Sequence, residues 1–175
     1  MVLAQTAASF FRRIDEPPLQ ILPMVNMRSG ETLEICGEPG TGKTSLLMEI
    51  ALRCICPRSI DGRPLDGYGT TAIVVDTEGG FCVPRLAASL VERLGWLGYE
   101  RAQSEMRICL RRLHIMQPHS RRQVVCGLAA LLLRARIASD QPTPLETARF
   151  LLIDRLTAPT ATCCTHCALC DNSAK

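Results

Sequence analysis

Three stretches of this sequence carry residue types whose spacing suits phosphate chemistry. The first is Gly37-Glu38-Pro39-Gly40-Thr41-Gly42-Lys43-Thr44, followed by Ser45. It fits the G-x-x-x-x-G-K-[ST] phosphate-binding pattern. Glycines let a backbone wrap close around phosphates so that successive N–H groups point inward, and a helix starting at the loop presents its positive end there. Lys43 supplies a compact ammonium for β and γ phosphates. Thr44 supplies a hydroxyl for Mg²⁺, a hard cation that takes oxygen ligands. Gly37 to Ser45 is therefore the candidate nucleotide site, with ATP and Mg²⁺ as the expected ligands.

The second and third stretches each place an acid directly after an apolar run. Asp76-Thr77-Glu78-Gly79-Gly80-Phe81 follows TAIVV, and a carboxylate there can polarise the water that attacks a γ phosphate. The plainer alternative is that Asp76 and Thr77 cap a turn made by Gly79-Gly80, with Glu78 solvated. Asp154 closes RFLLI, where an acid can orient the water shell of a bound Mg²⁺. A turn former or helix cap is the alternative at that position too.

These residues need particular elements to hold them. Thr32 to Cys36 reads as a short strand before the loop, and Gly42 to Cys54 as a helix after it, with Leu46, Leu47, Ile50, Ala51 and Cys54 at helical spacing. Pro57 to Thr70 is glycine- and proline-bearing and reads as a surface loop. Thr71 to Val75 is a β-branched run suited to a strand buried on both faces. Helices are expected over Val83–Leu94, Arg101–Arg112 and Arg121–Ala138, and further strands over Leu113–Met116 and Arg149–Ile153. Strands alternating with helices imply one α/β unit, with a mostly parallel sheet flanked by helices.

Composition sets bounds on function. The 175 residues are 47% hydrophobic, enough for a core, and no run of about 18 apolar residues is present to span a bilayer. A net charge of +3 does not argue for a nucleic-acid partner. Lysine is used sparingly: of the 20 basic residues only Lys43 and Lys175 are lysines, and one of them sits in the phosphate loop. Cys36, Cys54, Cys56, Cys82, Cys109 and Cys126 lie in apolar surroundings and read as small core residues in a reducing compartment.

GEPGTGKTSLLMEIALRC, then VVDTEGGFCVPRL, then RFLLID resembles the ATPase core of the RecA-type recombinases, specifically the eukaryotic strand-exchange recombinases and their paralogues. The DTEGGF segment is the specific part. The resemblance spans roughly residues 30–158 and implies a phosphate-loop NTPase fold of RecA type, with 1–29 as a lead-in and 159–175 as a divergent cysteine-rich tail. It implies Glu78 as the catalytic glutamate, Lys43 and Thr44 as phosphate and magnesium contacts, and Asp154 as the second metal-side acid, acting through water. It further implies homologous recombination and double-strand-break repair, a nuclear address, and other recombinase paralogues or the recombinase itself as partners.

Members of that family continue well beyond the Asp154 strand, whereas this sequence runs only to Lys175. The sheet is accordingly expected to be incomplete at the C-terminus, without a strand beside the phosphate-loop strand. Contact with single-stranded DNA is expected through a complex rather than from this chain alone. A non-catalytic, nucleotide-stabilised interaction subunit of a repair complex is the alternative function. The tail Cys163-Cys164-Thr165-His166-Cys167-Ala168-Leu169-Cys170 has zinc-ligand residue types but a single cluster, and the alternative is a flexible end or a sequence produced by an alternative exon or reading frame. The pairs Arg111-Arg112 and Arg121-Arg122 read as solvated helix ends, and His114 and His119 as structural.

Overall fold

The computed structural model describes residues 18–136 and 148–155. In chain order the elements are β1 (Leu19–Leu22), β2 (Val25–Met27), α1 (Lys43–Ile55), β3 (Ser59–Ile60), β4 (Arg63–Pro64) and β5 (Ala72–Asp76). They continue with α2 (Val83–Leu94), α3 (Tyr99–Leu110), β6 (Leu113–Met116), α4 (Arg121–Arg136) and β7 (Phe150–Asp154). Among these elements no helix is long and apolar enough to cross a membrane.

The sheet that matters for function has the order β6-β5-β7, all parallel. A parallel pair needs a crossover connection between its strands, and α2 with α3 provides one while α4 belongs to the other. All five residues of β5 are buried, as the β-branched run requires of a central strand covered on both faces. Ala72 and Val74 join Leu113, Ile115, Phe150 and Leu152 in the cluster formed with α1, α2 and Cys109 of α3. Ile73 and Val75 alternate to the other face, shared with Met116, against which Gly127 of α4 packs so closely that an added Cβ would lie 2.4 Å from the Met116 sulfur.

α2 shows how sequence spacing becomes packing. Leu86, Leu90 and Leu94 recur every four residues, so all three fall on one stripe, and each is no more than 1% exposed. Burying each contributes about 2 kcal/mol. Pro84 stands in the first turn, where its missing N–H costs nothing. Glu49 of α1 accepts from Arg93 of α2 at 2.6 Å, tying the two helices at the rim of this packing.

The C-terminal end of α1 is held by the loop after it. The carbonyls of Arg53, Cys54 and Cys56 accept from the N–H groups of Tyr68, Thr70 and Gly69, and Ile55 O accepts from Arg112 Nη1 at 2.9 Å. Carbonyls that a helix end leaves orphaned are thereby satisfied. Arg112 is thus a structural anchor. Part of the expected surface loop is ordered as the β3–β4 hairpin, and the lead-in contains the β1–β2 hairpin, seated on the core through buried Ile21.

One expected strand does not form. Thr32–Cys36 belongs to no sheet, and all but the half-buried Ile35 are exposed. The edge of β7 away from β5 has no neighbour among the described residues, so a ladder is open there and this stretch does not take it up. The cysteine reading needs correction as well. Cys54, Cys56 and Cys109 are buried, but Cys36, Cys82 and Cys126 are exposed, because each lies in a loop, at a helix start or on an outer helix face. Burial pushes the Cys54 thiol up to about 12. The cysteine-rich tail and residues 137 and 138 of the expected fourth helix lie outside the described residues.

Two outcomes follow from this packing. Gly67→Ala would place a Cβ 2.1 Å from Cys56 O and 2.6 Å from Pro57 O, both backbone atoms. Chemical denaturation should show a loss of about 2 kcal/mol or more. In native protein, Cys82 and Cys126 should react with a thiol reagent within minutes, while Cys54, Cys56 and Cys109 should become reactive only on unfolding, as read by mass spectrometry of labelled peptides.

Candidate functional site

The loop between Ile35 and α1 turns on two glycines. Gly40 has φ +82° and Gly42 φ +89°, a left-handed backbone that side-chain-bearing residues rarely adopt. Thr41 closes the turn, its hydroxyl donating to Glu38 O at 2.8 Å. Gly42 caps α1 with no side-chain hydrogen bond, and the first turn contains no acid. Helix starts ordinarily recruit a polar cap and acidic residues to satisfy their N–H groups and positive end. Here those groups are left for something else. Lys43 Nζ folds back onto Gly37 O and Glu38 O, both at 2.6 Å, so a phosphate entering the loop would exchange two carbonyl acceptors for its own oxygens.

Thr44 and Asp154 meet although 110 residues separate them. Thr44 Oγ1 lies 3.2 Å from each carboxylate oxygen of Asp154, which is 6% exposed. Two parts of the fold set this contact: the helix starting at Lys43 and the C-terminal end of β7. Hard oxygen donors brought together in this way fit Mg²⁺ with its phosphate and water ligands. Among the described residues no group of three or more His, Cys, Asp or Glu could hold a metal by itself, so such an ion would need the phosphates as ligands.

The two parallel strand ends stand level, with Asp76 paired in register to Asp154. Their carboxylates do different work. Asp76, 1% exposed, accepts from Gly80 N at 3.0 Å, Phe81 N at 3.3 Å and Gln117 Nε2 at 3.2 Å. It folds the turn, the plainer of the two readings its sequence allows, and Gly79 at φ +73° completes that turn. Thr77 donates its hydroxyl to Asp154 O at 3.1 Å and to Arg155 O, lacing β5 to β7. Glu78 is more exposed and is engaged by Arg155 Nη1.

Sequence reasoning singled out the loop, Glu78 and Asp154, but it missed Gln117 and Arg155. Neither could have been found from spacing, since each acts on a residue more than forty positions away. His119 lies at the exposed start of α4, with its backbone N–H on Gln123 Oε1, and His114 lies within β6.

No protein-family model matches the chain. It is 35% identical over 85 residues to the DNA repair protein XRCC2 homolog of Arabidopsis thaliana, covering 47% of this chain and 22% of that protein. To the DNA repair protein XRCC2 of Mus musculus it is 31% identical over 102 residues, 58% of this chain and 34% of the relative. The DNA repair protein RAD51 homolog 3 of Cricetulus griseus matches at 39% over 56 residues, 32% and 14% of the two chains. The chain is a homologue of the RecA-type recombinase paralogues. It spans between about a seventh and a third of the length of these paralogues.

In this recombinase-paralogue homologue the turn after β5 depends on a buried carboxylate. Asp76→Ala removes the acceptor of two backbone N–H groups and of Gln117. It should cost about 2–3 kcal/mol in urea unfolding, because buried donors are left unsatisfied. Glu78→Gln, at an exposed site, should unfold within about 0.5 kcal/mol of the parent.

Proposed function

We propose that this chain is a RecA-type phosphate-loop NTPase core that binds Mg-ATP and acts in homologous recombination and DNA double-strand-break repair. The observation carrying this reading is the Thr44–Asp154 contact, which joins the phosphate loop to the end of β7. Residues 37–45 enclose the phosphates through backbone N–H groups, and Lys43 turns from its carbonyl partners to the β and γ oxygens. Thr44 and Asp154 would hold the Mg²⁺ side of the site, the hydroxyl as an oxygen ligand and the carboxylate as an acceptor for the ion's water. When bound, Mg²⁺ neutralises charge on the phosphates. Glu78 takes the part of general base, orienting a water toward the γ phosphate.

The relatives' names support a role in DNA repair, and the partners proposed are other recombinase paralogues or the recombinase itself. Single-stranded DNA would be reached through such a complex, and the proposed address is the nucleus. The core proposed for this function is 30–158, preceded by the 1–29 lead-in and followed by the 159–175 tail.

A second reading has a specific observation behind it: the chain as an interaction subunit whose nucleotide serves stability. Val125, Leu132 and Leu133 of α4 and Leu151 of β7 are 49–66% exposed, large apolar side chains of the kind that a partner subunit would cover.

Binding of Mg-ATP followed by fluorescence or calorimetry should fall at least about 10-fold in Lys43→Ala, as loss of a charge-assisted phosphate contact predicts. Glu78→Gln should keep binding and lose about 100-fold or more of turnover, the usual contribution of a general base. Unaltered turnover in Glu78→Gln would remove its catalytic role. If Lys43→Ala loses nucleotide but still pulls down a recombinase paralogue, the interaction-subunit reading prevails.

A further inference from the structure

We propose that Arg155 is a positioning residue that restrains Glu78, holding its carboxylate against the end of β7 so that nucleotide turnover is kept low until the ion pair opens. The inference rests on the reading of Glu78 as general base. The geometry behind it is reciprocal. Thr77, next to Glu78, donates its hydroxyl to the carbonyls of Asp154 and Arg155, while Arg155 sends its guanidinium back to Glu78 Oε2. Each strand end therefore grips the residue that follows the other.

Two features make this more than a casual surface pair. Arg155 has φ +55°, a left-handed backbone uncommon for a residue with a side chain, and that conformation turns the chain at the end of β7. Such conformations persist where the surrounding structure over-determines them, and here Thr77 fixes the Arg155 carbonyl. Asp154, one residue earlier, is held by Thr44 of the phosphate loop. The restraint on Glu78 is thus built onto the same backbone step that carries the metal-side acid.

With one carboxylate oxygen committed to a guanidinium, Glu78 must release Arg155 before it can orient a water. The pair is about half exposed, at 48% for the Arg155 side chain and 35% for Glu78, so mobile ions reach it and screen it. Opening is therefore accessible without unfolding.

The test measures Mg-ATP turnover and affinity in the full chain, in Arg155→Gln, Arg155→Lys, Glu78→Gln and the Arg155→Gln/Glu78→Gln double variant. Arg155→Gln should turn over at least about three-fold faster than the parent at equal Mg-ATP affinity, with the double variant inactive. Arg155→Lys should fall between parent and Gln, since lysine keeps the charge but not the planar fork. Raising salt to about 0.5 M should accelerate the parent and leave Arg155→Gln unchanged, a response a purely structural role would not give, and the parent's half of it needs no variant to fold. Turnover in Arg155→Gln equal to or below the parent, or a parent rate indifferent to salt, overturns the restraint. If parent and Arg155→Gln both bind Mg-ATP and neither hydrolyses it, the restraint also fails while the nucleotide site stands. Absence of Mg-ATP binding by the parent overturns the nucleotide reading itself, and the restraint with it.

Discussion

The parallel pairing of β5 with β6 on one side and β7 on the other is the constraint on which the rest of this molecule depends. β5 is five residues long and buried throughout, so its two neighbours are fixed by backbone hydrogen bonds and by apolar packing on both faces. A slip of one residue along β7 would turn Leu152 out of the core and Leu151 into it. It would also move Asp154 away from Thr44. The register that buries Ala72, Val74 and Leu152 is thus the same register that sets Asp76 level with Asp154.

From that alignment comes a division of labour between chemically similar groups. Asp76 is enclosed by Gly80, Phe81 and Gln117, and its carboxylate is spent on shaping a turn. Asp154 is nearly as buried, but its carboxylate faces the phosphate loop through Thr44. Glu78 stands two residues beyond the buried strand, free of the core and tied by Arg155. The partners each acid meets, rather than its residue type, decide that Asp76 shapes a turn while Asp154 faces Thr44. The phosphate loop is prepared in a matching way: its helix begins without a polar cap or an acid, and its lysine is parked on two carbonyls.

Much of this was legible beforehand where a periodic or β-branched pattern decided the outcome. Val83–Leu94 and Leu113–Met116 form over the expected residues, and α1, α3, β5 and β7 fall within two residues of expectation, because burial of a stripe or a two-sided strand overrides local alternatives. The strand before the phosphate loop was misread for a reason that lies elsewhere in the chain. Thr32–Cys36 pairs with no strand among the described residues although β7 leaves an edge open, so apolar character alone does not make it a strand. The cysteines were misjudged similarly, since an apolar neighbourhood in sequence does not say which side of a helix or loop a residue takes.

The sequence by itself determined the phosphate loop, the central strand and the two acids that close β5 and β7, because these are local patterns whose physics depends on a few adjacent residues. Only the tertiary structure decided that Thr44 meets Asp154 across 110 positions, that Asp76 belongs to a turn, and that Arg155 holds Glu78. Each of those depends on strand order and register, which arise from packing summed over the whole sheet and leave no trace in the spacing of the residues they join.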